Sequence, residues 1–341
     1  MEELIHNLIK DLQTGFLFVI IAITLYTLGK GADWLVDEAV ILSTRWGVPQ
    51  TLIGATVVSL GTTTPEAAVS VLAAVTGKPG MALGNAVGSI ICDTGLILGL
   101  AALIAPLPLN RKIVNRQGWL QLGAGILLVV ACLPVSAGRR HLPQFMGFVF
   151  LILLAGYMWL SIRWARDADA PVAPEGVEPD DDETTNTLSV LAKLIFAIVV
   201  VVVSSVILIP TVKETAIRLK VPDSIIAATL VAFGTSLPEL VTAVTATIKG
   251  QGELAVGNVI GADILNVLFV AGASAAVTGG GLVAELHFFR ILFPLMLFIL
   301  VVFRVGIFFS GDRLKRPFGG ILIGAYVVYL AILIYTRVGM H

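Results

Sequence analysis

The sequence predicts an all-α integral membrane protein built from two related halves of five spanning helices each. Charged residues make up 13% of the 341 residues, and 57% are hydrophobic. An ordinary soluble domain has about 25% charged residues. Several apolar runs reach or approach the roughly 20 residues that a helix needs to cross a bilayer. Two sequence motifs also occur twice at one constant separation, which predicts an internal duplication.

The apolar runs divide into ten predicted spanning segments. The clearest are uninterrupted, such as those at 145–162, 191–210 and 321–335. Segments two, three, seven and eight also contain Gly, Pro and acidic residues, which membrane helices tolerate where the backbone faces protein or a wet cavity. The approximate ranges are 13–38, 48–76, 81–105, 117–136, 143–165, 188–211, 222–248, 253–278, 286–307 and 318–337.

An acidic, Pro-containing stretch at 166–187 has no apolar periodicity, so we expect an aqueous linker there. It separates a first half (1–165) from a second half (188–341). A solvated loop is the simpler interpretation, and a regulatory cation-binding role for the Asp180–Glu183 run is the alternative. Lys and Arg between segments three and four, after segment five and before segment ten predict that these loops and the linker are cytoplasmic. Basic residues on the opposite side make this bias weak.

The internal duplication has an offset of 173 residues. Ile53–Glu66 reads IGATVVSLGTTTPE, and Ile226–Glu239 reads IAATLVAFGTSLPE. The same offset, without a gap, aligns GNAVGSIICD at Gly84–Asp93 with GNVIGADILN at Gly257–Asn266. Because an odd number of segments separates the copies, the second copy enters the membrane from the opposite side. Such inverted repeats are typical of secondary transporters, which bind their substrate near the midplane at the repeat interface.

Glu66 and Glu239 occupy equivalent positions in apolar surroundings, and two-fold symmetry would bring them together. A charged side chain deep in the bilayer costs at least about 2.5–3.5 kcal/mol, so it faces a partner or a cavity. Two close carboxylates repel each other, and a divalent cation or several monovalent cations between them remove this conflict. The structural alternative is a pair of neutral acids that bond helix ends or each other.

Hydroxyl and carbonyl oxygens accompany each glutamate. Thr62 and Thr235 lie four residues before Glu66 and Glu239 and share their helix face, although such hydroxyls also bond their own helix. A proline precedes each glutamate and disfavours helix at the residue before it. We expect Pro65 and Pro238 to free carbonyl oxygens at Ser59 to Gly61 and at Ala232 to Gly234.

The second motif supplies a further pair of polar residues. Asp93 and Asn266 each lie 27 residues after the glutamate of their half. Ser89 lies one turn before Asp93, whereas its counterpart Ala262 has no ligand atom. Asp263 lies three residues before Asn266, and its counterpart is apolar.

The same motif contains candidate packing residues. For Asn85 and Asn258, bonding across helices is favoured over a ligand role. The small-residue pairs that favour close helix contact are Gly84, Gly88, Gly257 and Gly261.

Several classes of protein lack support in this sequence. The membrane segments offer no paired cysteines or clustered histidines for zinc or copper, and no phosphate-binding Gly loop with a Lys. A net charge of −1 gives no indication of nucleic-acid binding. We therefore expect no cofactor, with small cations and the lipid bilayer as partners and no obligatory protein partner.

The duplicated Gly-Thr-x-x-Pro-Glu motif, each copy followed by Gly-Asn-x-x-Gly and a polar residue, resembles the two alpha repeats of sodium/calcium exchangers. These belong to the cation/calcium antiporter superfamily. The resemblance covers the ten-segment plan, and the short chain is similar to the prokaryotic branch. It implies a secondary transporter, not an enzyme, that exchanges Na⁺ for Ca²⁺ by alternating access in a prokaryotic inner membrane.

The resemblance also implies the ligands. Glu66 and Glu239 would be shared by calcium and sodium. The flanking ligands would be the side chains of Thr62, Thr235, Ser89, Asp93 and Asn266 and the main-chain carbonyls of Ser59 and Ala232.

This sequence departs from the family pattern in three places. The family usually has Asn at position 93 and Asp at 266, so the acid is exchanged between halves. Ala262 replaces a usual Ser. Asp263 replaces a common Asn, which gives four acids in place of three. A fourth acid could bind a proton, an extra Na⁺ or K⁺, or favour another divalent ion.

These departures leave alternatives open. One is a related antiporter driven by H⁺, dependent on K⁺, or carrying Mg²⁺ or Mn²⁺. A remote alternative is an intramembrane enzyme that uses Glu66 and Asp93 as an acid pair.

Overall fold

The computed structural model describes residues 9–133, 140–166, 187–219 and 234–338, and ten helices lie within these ranges. Nearly all of the predicted linker at 166–187 lies outside them, and so do residues 222–233 of predicted segment seven. The predictions for the Asp180–Glu183 run and for Ala232 therefore fall on residues that are not described. The helices are α1 (Thr14–Trp46), α2 (Gln50–Val75), α3 (Pro79–Ile104), α4 (Arg111–Ala131), α5 (Gln144–Arg166), α6 (Thr187–Arg218), α7 (Leu237–Ile248), α8 (Gly252–Ala276), α9 (Phe288–Ser310) and α10 (Arg316–Val338).

Each predicted spanning segment overlaps one of these helices. Eight of the ten are long and apolar enough to cross a membrane. Of the other two, α7 has 12 described residues. Helix α4 begins at Arg111, earlier than the predicted 117, because the Asn110 side chain accepts the Ile113 N–H at 3.4 Å and caps its first turn. The number and apolar character of the helices confirm a multi-pass membrane protein.

Two helices extend beyond the predicted apolar runs. Helix α1 continues to Trp46, eight residues past the predicted end, and stops at Gly47, whose φ of 62° is left-handed. Helix α6 continues through Pro210 to Arg218. The apolar pattern measures the part of a helix that lies in hydrocarbon, whereas the helical hydrogen bonds continue into the polar interface.

Helix α8 lies at the centre of the bundle, since 94% of its most apolar 18-residue stretch is buried. It crosses α2 at a very short distance. A Cβ on Gly257 would overlap the Thr51 carbonyl oxygen, and one on Gly261 would lie 2.5 Å from the Ala55 Cα. A Cβ on Gly54 of α2 would lie 2.6 Å from the Leu254 carbonyl oxygen. This crossing therefore accepts only glycine on either helix.

Gly84 and Gly88 of α3 have more room, since the nearest side-chain atoms to a built Cβ lie at 3.8 and 3.9 Å. The offset of 173 relates them to Gly257 and Gly261. It also relates the contact partners Thr51 and Ala55 to positions 224 and 228. Those positions lie outside the described residues, so close packing at Gly84 and Gly88 stays a prediction.

Four of the helices within the described ranges contain a π-helical turn, at Gly54–Val58, Ile91–Ile97, Asn266–Ala271 and Phe288–Leu292. A π turn inserts an extra residue into a helix and rotates the residues that follow it, and such turns are frequent at functional sites. Asp93 lies in the second of these turns and Asn266 begins the third. The irregular backbone therefore coincides with the duplicated polar positions.

The structure corrects the interruption predicted at Pro65, because α2 continues through this residue. The carbonyls of Ser59 and Leu60 accept hydroxyl groups from Thr62 and Thr64 at 3.3 and 2.6 Å. These bonds occupy two of the carbonyls that were expected to be free. Only Gly61, four residues before Pro65, loses its helical donor to the proline.

The two prolines therefore differ. Pro238 lies in the first turn of α7, which begins at Leu237, and the preceding residues from Gly234 to Ser236 form a turn. A proline in the first helical turn removes no intrahelical hydrogen bond.

Two short antiparallel ladders connect loops at the ends of the bundle. Strand β1 (Leu107–Pro108), after α3, pairs with β4 (Arg313–Leu314), before α10. Strand β2 (His141–Leu142), before α5, pairs with β3 (Leu282–Val283), before α9. The basic loops between α3 and α4 and between α9 and α10 therefore lie at the same end of the bundle.

Candidate cation site

The two glutamates of the duplicated motif are fully buried and interact electrostatically. Glu66 lies in the middle of α2, whereas Glu239 lies in the first turn of α7. The Ser236 hydroxyl donates to Glu66 Oε1 at 3.0 Å, and the Thr63 hydroxyl donates to Glu239 Oε1 at 3.2 Å. Each carboxylate is therefore held by the hydroxyl that lies three residues before the other glutamate.

Each glutamate has a second hydroxyl beside it. The Ser89 hydroxyl of α3 donates to Glu66 Oε1 at 3.3 Å. Thr62 of α2 also interacts with Glu239, while its hydroxyl donates to the Ser59 carbonyl at 3.3 Å. The counterpart of Ser89 is Ala262, which is buried and has no donor. The hydroxyls of Glu66 therefore come from α3 and from before α7, whereas both of those at Glu239 come from α2.

Asp93 and Asn266 meet between the two π-helical turns. The Asn266 Nδ2 donates to Asp93 Oδ2 at 3.3 Å, and both residues are fully buried. Their separation equals the offset of the duplication, so this bond joins a residue to its own counterpart. Asp93 also interacts electrostatically with Glu239, which places the four residues in one polar region.

Asp263 has different partners. Its Oδ2 accepts a hydrogen bond from Gln121 Nε2 of α4 at 2.6 Å and another from the Thr94 hydroxyl of α3. Gln121 Nε2 also donates to the Thr94 hydroxyl at 3.1 Å. Asp263 is 2% exposed and interacts electrostatically with Asp93. It therefore extends the polar region towards α4.

Buried side-chain oxygens without a hydrogen-bond partner among the described residues occur on every acid of this region and on its amide. A buried acceptor without a partner costs roughly 1–3 kcal/mol, and more if charged. Carboxylate and carbonyl oxygens are the ligands that hard cations such as Ca²⁺ and Na⁺ prefer. The residues present therefore fit cation binding. The atoms are Glu66 Oε2, Asp93 Oδ1, Glu239 Oε2, Asp263 Oδ1 and Asn266 Oδ1.

The acids do not surround one point by themselves. Within the described ranges, no three carboxylate, thiol or imidazole groups converge closely enough to hold one ion. Hydroxyl, amide or main-chain oxygens would have to complete the coordination, as the neutral groups beside each glutamate allow.

Two predicted residues lie to the side of the glutamates. The Thr235 hydroxyl donates to Asn85 Oδ1 at 3.3 Å, and Asn85 Nδ2 donates to the Ser70 hydroxyl at 2.9 Å. Asn85 thus connects α2, α3 and the turn before α7, in the manner of a packing residue. Asn258 is fully buried, and neither of its amide atoms has a partner among the described residues.

Sequence reasoning missed four residues that the structure brings to the acids. Thr63 and Ser236 are counterparts at the same offset, so the shared hydroxyl was available as a signal beside the chosen Thr62 and Thr235. Thr94 and Gln121 belong to no duplicated position. A glutamine within an apolar segment was the only indication of Gln121.

Comparisons with known proteins agree with this geometry. A family model described as sodium/calcium exchanger protein matches residues 16–163 and 189–335. The chain belongs to the sodium/calcium exchanger family. It is 31% identical to sodium/calcium exchanger MaX1 of Methanosarcina acetivorans, over 93% of this chain and 98% of that protein. It is also 31% identical to inner membrane protein YrbG of Escherichia coli, over 94% of this chain and 97% of that protein.

The fold of this exchanger is also that of a solved relative. It matches the sodium-calcium exchanger NCX_Mj, in a structure soaked with 10 mM Na⁺ and zero Ca²⁺, with a TM-score of 0.77. Sequence identity is 26%, and the match covers 94% of this chain and 99% of the other. The family resemblance predicted from the motifs is confirmed. The protein is a cation antiporter and not an enzyme, as its family indicates.

The structure shows what surrounds the residues at which this exchanger departs from the family pattern. Asp93 and Asn266 contact each other, so exchanging acid and amide between them keeps one negative charge in the same place. Ser89 of α3 donates its hydroxyl to Glu66. Its counterpart in α8, Ala262, has no hydroxyl to donate to Glu239. Asp263 adds a carboxylate whose hydrogen-bond donors among the described residues, Thr94 and Gln121, both belong to the first half.

Proposed function

We propose that this exchanger couples Na⁺ flow to Ca²⁺ movement by alternating access at the site between Glu66 and Glu239. The observation that carries the proposal is the reciprocal pair of bonds from Ser236 and Thr63 to the two glutamates. This arrangement builds one site from both halves and leaves one oxygen on each carboxylate without a partner among the described residues. A dication or two monovalent cations would neutralise the pair, so either ion could replace the other.

The ligand set that we propose follows from these contacts. Glu66 and Glu239 are the ligands that both ions share. Ser89, Ser236, Thr62 and Thr63 supply neutral oxygens beside them, and Asp93 with Asn266 lines the middle. The predicted roles of Thr235 and of the Ser59 and Ala232 carbonyls belong to the same proposal. They would apply to the ion-loaded protein, because Thr235 bonds Asn85 and the Ser59 carbonyl accepts Thr62 in this structure.

We further propose that residues 1–165 and 188–341 are inverted five-helix repeats. The ladders support this organisation, because ten alternating crossings place the β1 and β4 loops on one side and the β2 and β3 loops on the other. Two side-chain contacts agree with the same parity. Lys249, before α8, bonds Asp37 in the second half of α1, and Arg218, at the end of α6, bonds the Lys10 carbonyl.

The orientation in the membrane is a separate proposal. The end of the bundle that carries the β1–β4 ladder also carries Arg111 and Arg313, and the positive-inside rule makes it cytoplasmic. The linker at 166–187 would then lie on the cytoplasmic side of a prokaryotic inner membrane. Labelling of a single introduced cysteine in the linker from either side of oriented vesicles tests this topology.

A second candidate is a related antiporter with other ions, and Asp263 is the observation that favours it. A fourth buried carboxylate adds negative charge to a site that three acids serve in the family pattern. This charge could be balanced by H⁺ or K⁺, or it could favour Mg²⁺ or Mn²⁺ as cargo. The two candidates differ in the gradient that drives transport.

The test uses purified protein in liposomes loaded with Na⁺ and diluted into Na⁺-free buffer that contains ⁴⁵Ca²⁺. We expect uptake that requires the Na⁺ gradient. Matched liposomes with a pH gradient or a K⁺ gradient and no Na⁺ identify other drivers. Uptake with the pH gradient alone would contradict sodium coupling and support the second candidate.

A further inference from the structure

Tyr157 of α5 forms a hydrogen bond to the main chain of α2, within the π-helical turn at Gly54–Val58. Its hydroxyl donates to the Ala55 carbonyl oxygen at 2.8 Å. Tyr157 is 4% exposed, and Ala55 is fully buried. A buried tyrosine hydroxyl generally has a partner, but a main-chain carbonyl inside a helix normally has its own backbone donor. The bond therefore calls for an explanation on the side of the carbonyl.

The π-helical turn explains why the Ala55 carbonyl accepts a side chain. In an α-helix each N–H bonds the carbonyl four residues earlier, so the Ser59 N–H would bond Ala55. It bonds the carbonyls of Gly54 and Thr56 instead. The Tyr157 hydroxyl thus supplies the donor that the π-helical turn withdraws, and it stabilises this turn against a regular α-helix.

The packing around Ala55 leaves little room for water to replace the hydroxyl. A Cβ on Gly261 of α8 would lie 2.6 Å from the Ala55 carbonyl oxygen and 2.5 Å from the Ser59 hydroxyl. Without the tyrosine hydroxyl, this carbonyl would be a buried acceptor without its donor, which is unfavourable. Conversion of the turn to a regular α-helix would give the Ser59 N–H back to it.

The same turn sets the rotation of the rest of α2. Loss of the extra residue in a π-helical turn rotates the segment that follows by about 100°. The segment before the turn is fixed by the crossing with α8, because a Cβ on Gly54 would lie 2.6 Å from the Leu254 carbonyl oxygen. The rotation would therefore fall on the segment that contains Thr63 and Glu66. It would turn both residues away from their hydrogen-bond partners in the second half.

We propose that Tyr157 is a positioning residue, whose hydroxyl maintains the π-helical turn of α2 and thereby directs Thr63 and Glu66 into the cation site. This inference rests on the proposed function, since Tyr157 acts through the ligands and does not bind the ions itself. It has two separable consequences. Loss of the hydroxyl changes the rotation of α2 in the ion-free protein, and this rotation then weakens ion binding.

A nitroxide label on α2 tests the rotation without any ion. Leu72, which lies on α2 after the turn, is 56% exposed, and Leu72→Cys provides the attachment point. The two native cysteines are buried, so the label reaches the introduced one. We expect Tyr157→Phe to lower the accessibility of this label to O₂ in lipid bilayers, because its face of α2 turns towards protein. The same label at Phe18, which is 52% exposed on α1, is the control. Unchanged accessibility at Leu72 would overturn the inference.

The hydroxyl has a second set of neighbours, and a further variant separates them from Ala55. Gln117 Nε2 donates to the Ser161 hydroxyl at 3.4 Å, and both residues interact with Tyr157. If the bond to Ala55 maintains the turn, Ser161→Ala should leave the accessibility of the Leu72 label and the Ca²⁺ affinity unchanged. Changes equal to those in Tyr157→Phe would overturn the proposal, because the hydroxyl would then act through the polar contacts between α4 and α5.

Equilibrium ⁴⁵Ca²⁺ binding to the purified protein tests the effect on the site. Tyr157→Phe keeps the ring and removes only the hydroxyl, so we expect Ca²⁺ affinity to fall about tenfold. Incorporation of 3-fluorotyrosine at position 157 keeps a hydroxyl donor and should preserve the affinity. Tyr26→Phe, at a tyrosine that is 68% exposed on α1, is the matched control.

The outcomes separate this inference from the proposed function. Wild-type Ca²⁺ affinity in Tyr157→Phe would overturn the positioning role and leave the proposed function standing. Absence of ⁴⁵Ca²⁺ binding by the wild type would refute the proposed function, and the label at Leu72 would still decide whether Tyr157 maintains the π-helical turn.

Discussion

The glutamate pair and the Asp263 cluster are both built from buried carboxylates, but they differ in symmetry. Glu66 and Glu239 receive equivalent bonds from Ser236 and Thr63, each contributed by the other half. Asp263 receives its bonds from Thr94 and Gln121, which have no polar counterparts in the second half. The glutamate pair is shared with the family motif, whereas Asp263 is one of the places where this chain departs from it. We therefore assign ion exchange to the first and ion selectivity to the second.

The largest effect is expected from removing either glutamate charge. Glu66→Gln and Glu239→Gln each take one carboxylate from a site that both halves form. Breaking such a buried set costs about 3 kcal/mol or more, which corresponds to about 100-fold in ⁴⁵Ca²⁺ transport. The two losses should be similar if the pair is functionally symmetric. Glu285→Gln, at an exposed residue outside the membrane site, is the matched control, and wild-type exchange in either glutamate variant would refute the site assignment.

The contact between Asp93 and Asn266 allows a charge-swap experiment. Asp93→Asn alone removes a carboxylate, and Asn266→Asp alone places two carboxylates against each other, so we expect about a 30-fold loss of transport in each. The double variant restores one acid and one amide in contact and should recover activity to within about threefold of wild type. Additive losses in the double variant would show that the two positions are not equivalent.

The residues changed in these variants could be predicted from the sequence to different degrees. The apolar runs predicted ten spanning segments, and the offset of 173 predicted that Glu66 and Glu239 occupy equivalent positions, because a duplication constrains both copies at once. It also predicted that Asp93 and Asn266 are a pair. The interruption at Pro65 was wrong, because threonine hydroxyls bond the carbonyls of Ser59 and Leu60 and the helix continues.

The residues that sequence reasoning missed have a common origin. Thr63 and Ser236 were overlooked beside Thr62 and Thr235, because helical spacing cannot say which of two adjacent hydroxyls faces a partner helix. A π-helical turn rotates the residues after it, and no sequence pattern here predicted its position. Gln121 comes from a helix outside the duplicated motifs, so only the tertiary fold brings it to Asp263.

A smaller effect is expected at the hydroxyls that join the halves. Thr63→Val and Ser236→Ala each remove one donor to a buried carboxylate, which contributes about 1.5–3 kcal/mol. Apparent Ca²⁺ affinity, measured from the concentration dependence of ⁴⁵Ca²⁺ uptake, should fall about tenfold in both. Thr76→Val, at an exposed hydroxyl that bonds only its own helix, provides the control. A loss in one variant and not in the other would argue against reciprocal roles.

The smallest effect is expected at Ala262, where the surroundings of the two glutamates differ by one hydroxyl. Ala262→Ser would place a hydroxyl on α8 beside Glu239, equivalent to the hydroxyl of Ser89 on α3 beside Glu66. A gained hydrogen bond or ligand oxygen contributes about 1 kcal/mol, so apparent Na⁺ affinity should rise about fivefold. The Na⁺ concentration dependence of Ca²⁺ release from liposomes measures it. An unchanged dependence would mean that the absent hydroxyl has no part in sodium binding.

The central claim is that one site, formed by Glu66 and Glu239, serves both ions. It is tested most directly by equilibrium ⁴⁵Ca²⁺ binding to the purified protein at increasing Na⁺ concentration. We predict that Na⁺ displaces Ca²⁺ completely, with a steep dependence because more than one Na⁺ replaces each Ca²⁺, while an equal concentration of choline has no effect. Calcium binding that persists unchanged at saturating Na⁺ would contradict a shared site.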